Sequence, residues 1–398
     1  MVVRCIFSKL KQQFGVMLKS RHLPGIALVA FLIWFVFVMF RPDPCKSDQF
    51  RVNLCELYES NIITGTLCPH VCKSKTWKFH HCHVDKTGQI SFIEKPSILK
   101  LGHQAEQLWH GHSASGLYMT PEEGMNVRAF KKLLKDFLDT RLGSSDHEQI
   151  FRRILNVADV NADGKISLSE AKTIWSLIQN NEFLLLLVFQ GSHYVSELRG
   201  FCGDFYAVEY VLQNSLPVLP PTGINRYWSS LYDIAWHKKV KICIGLLEFT
   251  LEAYQHGADG SFYMCDLGEH TIGYTKNYEA RVTNLALTFP RKTLHRYVKR
   301  HFCNADADCV YTRQCQTTCD RATRRCSADL VRPNLVYVCQ IIERYMFPDV
   351  PRGVRGELKV LLDRCKSLNI YARDMQLQHS LLLNELKSLL WKQISSDV

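Results

Sequence analysis

Residues 159–170 read D-V-N-A-D-G-K-I-S-L-S-E, and every position fits a calcium-binding loop held between two helices. Asp159, Asn161 and Asp163 place oxygen ligands at loop positions 1, 3 and 5, and Gly164 at position 6 permits the sharp turn that brings the chain back. Lys165 at position 7 needs only its backbone carbonyl, Ser167 at position 9 binds directly or through water, and Glu170 at position 12 closes the site as a bidentate carboxylate. These are the expected Ca2+ ligands. On the incoming side, Ile150, Phe151, Ile154 and Leu155 share one helical face. On the outgoing side, Ala171, Ile174, Trp175 and Ile178 begin a helix that the run F-L-L-L-L-V-F, residues 183–189, extends beyond Glu182. Glu182 would then lie twelve residues past Glu170 on the same helix, about 18 Å along it. Calcium at one end would set the position of a carboxylate at the other.

At 398 residues the chain has room for about two or three domains or one enlarged one, and an apolar share of 46% is that of a folded protein. The net charge of +11 matters mainly for where it sits. Residues 1–22 carry Arg4, Lys9, Lys11, Lys19 and Arg21 with no acid, and residues 23–40, L-P-G-I-A-L-V-A-F-L-I-W-F-V-F-V-M-F, carry no charge. At 1.5 Å per residue the apolar run covers about 27 Å, enough for a thin bilayer. It ends in Met39, Phe40, Arg41 and Pro42 rather than in a small-residue cleavage site, so it is expected to remain as a transmembrane signal-anchor. The positive-inside rule puts the basic tail in the cytosol and residues from 41 onward in the lumen, a single-pass type II membrane protein. That compartment excludes a nucleic-acid partner.

Cysteine usage agrees with this topology. Of sixteen cysteines only Cys5 precedes the anchor, which leaves fifteen on the luminal side. Cys45, Cys55, Cys68, Cys72 and Cys82 form one group, and Cys303, Cys309, Cys315, Cys319, Cys326 and Cys339 another. Such density suits an oxidising compartment and implies disulfides, though spacing does not reveal their pairing. Zinc is the alternative for the second group. Fifteen is odd, so at least one luminal thiol stays free or pairs between chains.

After the anchor, residues 41–82 form a short cysteine-rich segment. Residues 89–100, Q-I-S-F-I-E-K-P-S-I-L-K, alternate as two strands broken at Pro96, and residues 126–142 place Val127, Phe130, Leu133, Leu134, Phe137 and Leu138 at helical spacing. Residues 194–211 give two further strands around a Gly-rich turn. An amphipathic helix follows over residues 236–256, and then strand, loop with one acid, and strand. The basic residues Arg291, Lys292, Arg296, Lys299 and Arg300 are either a solvated helix face or a surface for an acidic partner.

Glu182 with its apolar run, then H-Y-V and a strand pair ending in V-E-Y-V, resembles a protein kinase from the helix of the paired glutamate to the hinge. More specifically, M-C-D-L-G-E-H-T-I-G-Y, D-A-D-C-V-Y-T-R-Q-C-Q-T-T-C-D-R-A-T-R-R-C and N-L-V-Y-V-C resemble the divergent protein kinase domain 1 family. The resemblance covers essentially the whole chain. It implies an α+β, protein-kinase-like bilobal fold of the endoplasmic reticulum, with an EF-hand inserted in the N-lobe, preceded by one N-terminal transmembrane helix. Residues 83–211 would be the N-lobe, with the EF-hand insert at about 146–182, and residues 212–398 the C-lobe, with a cysteine-rich block at 303–339.

By the same resemblance Lys100, in S-I-L-K, would pair with Glu182 and hold the phosphates of ATP, and Asp266 would be the catalytic acid that orients the acceptor hydroxyl. Two magnesium-ligand positions depart from the kinase pattern. Thr271 stands where a metal-binding Asn belongs, and Asn284, with Leu285 and Ala286, replaces D-F-G. A neutral amide in place of a carboxylate removes the charge that holds Mg2+ against phosphates. The expectation is therefore a pseudokinase scaffold or regulator with a luminal protein partner. The alternative is a weak or atypical kinase acting on luminal proteins, with Asp266 as base.

Overall fold

The computed structural model describes residues 47–74, 76–77, 82–84, 90–94, 97–101, 120–143, 147–211, 215–216, 234–255, 262–299, 301–327, 330, 332–368 and 375–395. The expected membrane anchor at 23–40 lies outside them. Among the described residues no helix is long and apolar enough to cross a membrane.

Helix α1 (Ser47–Glu59) leads into the cysteine-rich segment, which Cys55–Cys72 staples. Three strands follow: β1 (Cys82–Val84), β2 (Ile90–Glu94) and β3 (Ser97–Leu101). Next come helices α2 (Val127–Leu142), α3 (Glu148–Ala158), α4 (Leu168–Gln179) and α5 (Asn181–Val188), then the hairpin β4 (Leu198–Cys202) and β5 (Phe205–Glu209). The five strands make one antiparallel sheet in the order β1-β2-β3-β5-β4. β3 is central, and all five of its residues are buried, Lys100 included.

Local chemistry explains the helix boundaries. Asn126 caps α2 by accepting from the Ala129 amide, and its Phe130, Leu134, Leu138 and Leu142 form a buried i, i+4 stripe. Ser167 and Glu170 start α4 as a capping box. The continuous helix expected from Leu168 past Glu182 is not found. It breaks at Asn180, whose backbone is extended (φ −72°, ψ 120°) and whose side chain accepts from the Phe183 amide as the cap of α5. An asparagine stabilises a helix start better than a helix interior, so two helices replace one.

The cysteine-rich segment is clamped to the sheet. Gly65 runs so close to β4 that a Cβ there would sit 2.2 Å from the Phe201 carbonyl oxygen. The Leu67 amide donates to that carbonyl, the Gly203 amide to Thr64, and Cys68 is bonded to Cys202.

The second half is mainly helical. α6 (Trp236–Gln255) buries Ile242, Leu246, Phe249 and Ala253. Two short pairs follow: β6 (Phe262–Met264) with β9 (Thr288–Pro290), and β7 (Ile272–Tyr274) with β8 (Ala280–Val282). Beyond them come α7 (Arg291–Val298), the ribbon β10 (Cys319–Asp320) and β11 (Arg325–Cys326), α8 (Asn334–Met346), α9 (Arg352–Lys366) and α10 (Met375–Ser395). α6 packs against α8, α10 and β8. Residues 51–398 form one compact unit, and of the separate unit 1–50 only the start of α1 is described.

Disulfides Cys265–Cys315, Cys303–Cys319, Cys309–Cys326 and Cys339–Cys365 complete the six among the described residues, and Cys243 on α6 is a buried free thiol. Burial pushes that thiol well above its ordinary range and keeps it protonated.

Candidate functional site

Lys100 and Glu182, 82 residues apart, meet in the interior. The register pairs Lys100 directly with Tyr206 on β5, so both side chains leave the sheet on one face. α5 presents Glu182 there from its first turn, where a helix favours negative charge. Lys100 Nζ lies 2.6 Å from Glu182 Oε1 and also donates to the Thr283 carbonyl at 2.9 Å. Tyr206 donates to Glu182 Oε2 at 2.7 Å, and the Leu285 amide to Oε1 at 3.4 Å. Both charges are nearly solvent-free, and only such pairing makes their burial tolerable.

Residues 283–286 are docked on this pair. Thr283 and Leu285 touch it through their backbone on either side of Asn284. Asn181, the first residue of α5, donates to the carbonyls of Ala286 (2.9 Å) and Thr288 (2.8 Å). Neither Asn181 nor Tyr206 was legible as a site residue. The only signal was the Asn180-Asn181 doublet, which marks a helix start within an apolar run.

Asn284 Oδ1 accepts from the Ala286 amide at 2.8 Å, so its carbonyl oxygen is turned onto its own backbone. Thr271 is buried, and its hydroxyl donates to the Gly268 carbonyl (3.0 Å) and accepts from the Gly268 amide (3.1 Å). Both oxygens are neutral, so each would hold a magnesium ion against phosphates more weakly than a carboxylate does. Asp266 follows β6, is partly exposed, and lies 3.2 Å from His270 Nε2. Its loop is fixed by Cys265–Cys315, by Thr312 donating to the Cys265 carbonyl, and by Gln314 donating to the Leu267 carbonyl at 3.1 Å.

Residues 174–368 match the family model described as the protein-kinase domain of FAM69, and residues 13–156 match the one described as the N-terminal, cysteine-rich ER segment of FAM69. The chain belongs to the FAM69 family. In FAM69 terms its sheet is composite: β1 to β3, with Lys100, fall in the cysteine-rich match, whereas Glu182, β4, β5, Asp266, Thr271 and Asn284 fall in the kinase match. The ER of the family description agrees with the six disulfides among the described residues.

The loop at 159–170 lies between the two FAM69 matches. Its side chains bond to the loop's own backbone. Asp159 accepts from the amides of Asp163 (3.1 Å) and Gly164 (2.9 Å), and Asp163 from that of Lys165 (2.7 Å). Glu170 Oε1 accepts from the Val160 amide at 3.0 Å, and Oε2 from the Ser167 amide and hydroxyl at 2.8 Å each, so the carboxylate spans the loop from end to end. Gly164, at φ +75°, adopts the backbone that position 6 requires. Each carboxylate keeps lone pairs beyond these bonds, and the all-oxygen set of Asp159, Asn161, Asp163, the Lys165 carbonyl, Ser167 and Glu170 fits calcium.

The sulfurs of Cys303, Cys309 and Cys319 lie within 4.8 Å of one another, but each belongs to a disulfide, which leaves no thiolate there for zinc. A cavity of about 640 Å³ is lined by Asp159 and Val160 of the loop, by Arg199 of β4 and by the ion-paired Glu209 and Arg281, and by none of Lys100, Glu182 or Asp266.

Proposed function

We propose that the chain is a calcium-loaded, kinase-like module on the luminal face of the endoplasmic reticulum membrane, anchored as a single-pass type II protein by residues 23–40, and that it works as a pseudokinase scaffold or regulator. One contrast carries this reading. The Lys100–Glu182 pair is assembled, while Thr271 and Asn284 spend their oxygens on their own turns. The phosphates of ATP would meet Lys100 but no carboxylate-held magnesium. That ion normally neutralises charge developing in phosphoryl transfer, so nucleotide binding without efficient transfer follows.

Calcium supports the pair through packing rather than through one rigid helix. Arg153 of α3, the helix that enters the loop, donates to the carbonyls of Leu187 (3.0 Å) and Val188 (2.9 Å) at the end of α5. A cation there satisfies orphan carbonyls and complements the helix dipole. Ordering the loop orders α3, and α3 holds the helix that carries Glu182. A second reading, a weak protein kinase with Asp266 as base, is favoured by the partial exposure of Asp266 and by the intact Lys100–Glu182 pair.

Melting of the full chain with and without Ca2+, ATP and Mg2+ tests both. Calcium should raise the midpoint, and Glu170→Gln should abolish that rise. ATP should raise it without Mg2+, with about 2.7 kcal/mol of stabilisation at a hundredfold excess over Kd. No response to ATP would sink the nucleotide reading. A response that requires Mg2+, together with phosphate incorporated into luminal protein, would favour the kinase.

A further inference from the structure

A small polar cup of about 290 Å³ adjoins the Asp266 loop. Leu267, the residue after Asp266, forms part of its lining. One wall is the cysteine-block segment with Arg313, Gln314 and Gln316, tied to the loop by Cys265–Cys315 and by the Gln314 bond to Leu267. The other is Arg332 with Tyr337, Gln340 and Arg344, which recur at i, i+3 and i+7 on one face of α8. α8 is itself pinned to α9 by Cys339–Cys365. Both walls are therefore covalently braced, and the cup is formed before any ligand arrives.

Its charge is unbalanced. Arg344 pairs with Glu269 at 2.5 Å, whereas no carboxylate among the described residues pairs with Arg313 or Arg332. Three guanidiniums against one carboxylate leave a charge of about +2. Burial raises the Tyr337 phenol while the positive charges of Arg332 and Arg313 act against that rise, so both guanidiniums lie near a neutral hydroxyl donor. Planar guanidiniums with a phenol and an amide between them match an oxyanion. The volume is below that of pockets that enclose whole small molecules, and it suits the end of one side chain.

From this we infer that the cup docks an acidic side chain, a carboxylate or a phosphate ester, of an extended segment of a luminal protein partner, and so holds that segment beside Asp266. The cup needs no nucleotide, so the inference goes beyond the reading above. Its failure would leave the ATP and calcium responses as they are.

Fluorescence anisotropy on the full chain without ATP tests it, with labelled peptides of one sequence carrying Glu, phosphoserine or Gln at the central positions. The Glu and phosphoserine peptides should bind at least tenfold more tightly than the Gln peptide, and raised salt should weaken them. Arg313→Gln with Arg332→Gln should weaken both at least tenfold without moving the melting midpoint, since both side chains are exposed. Arg128→Gln with Lys131→Gln, which removes the same charge from the exposed face of α2, should change little. Equal binding of the acidic and Gln peptides would overturn the proposal, as would acidic-peptide binding that survives the double substitution. Competition by inorganic phosphate with no binding of the Glu peptide would also overturn it, since the cup would then be a site for free phosphate.

Discussion

A lysine in the middle of a five-stranded sheet is tolerated only if its charge is answered, and at Lys100 the answer comes from three directions: Glu182, the Thr283 carbonyl and the wider bond network of Tyr206. Glu182→Gln keeps the shape and removes the countercharge, leaving a buried ammonium. It should cost about 3 kcal/mol in chemical denaturation and abolish the ATP response. Loss of the ATP response with stability unchanged would mean that the pair does not hold the interior. Lys100 itself was legible only through the register of S-I-L-K within the family pattern, because a lone lysine carries no local signature. Tyr206 was not legible at all, and Asn181 only as half of a doublet that marks a helix start. Their roles arise from cross-strand pairing and from a helix break, both of which depend on residues far away in the chain.

At the scale of elements, amphipathic periodicity located α2, α3, the start of α4 and α6, alternation located β2 and β3, and a Gly-rich turn located the β4–β5 hairpin. Periodicity failed for α5, since a helix that is apolar all round shows no face and its start is marked only by a cap. β1 failed too, because three residues are too few to alternate. The α3 to α5 contact yields a prediction for coupling. Arg153→Met should leave the calcium-induced rise in melting midpoint in place but shrink the additional ATP rise that calcium confers, because α5 loses its carbonyl partner. An ATP rise that stays calcium-dependent would assign the coupling to another contact. α10 carries a separate pH effect. His379 is buried and stacked 4.7 Å from Tyr254, and burial lowers its pKa to about 4. The unfolded chain takes up this proton near pH 6.5 and the folded chain only near 4, so stability should fall as pH drops across that window and level off below it. The full loss is roughly 3 kcal/mol. His379→Phe should flatten that limb when denaturation is compared at pH 7 and 5.

Over the whole molecule, cysteine count agreed with the ER of the family description, and the family pattern made the sheet-plus-helices plan legible, but pairing was not. Disulfide partners follow from the folded path, and the bond that matters most joins residues 134 apart. In the chain-entropy account Cys68–Cys202 contributes about 5 kcal/mol and Cys55–Cys72 about 3. Replacing Cys68 and Cys202 by Ala should therefore destabilise more than replacing Cys55 and Cys72, as read by denaturation without reductant. The reverse order would place the greater constraint in the local staple. The long bond also has a consequence in time. At about 5 to 20 residues per second of synthesis, Cys202 is made roughly 7 to 27 s after Cys68. Through that interval Cys68 has the other cysteines of its own group, Cys45, Cys55, Cys72 and Cys82, for neighbours, and β3 waits with no β5 to cover it. The two halves of one sheet, and the thiols that tie it to the cysteine-rich segment, are thus separated in time as well as in sequence.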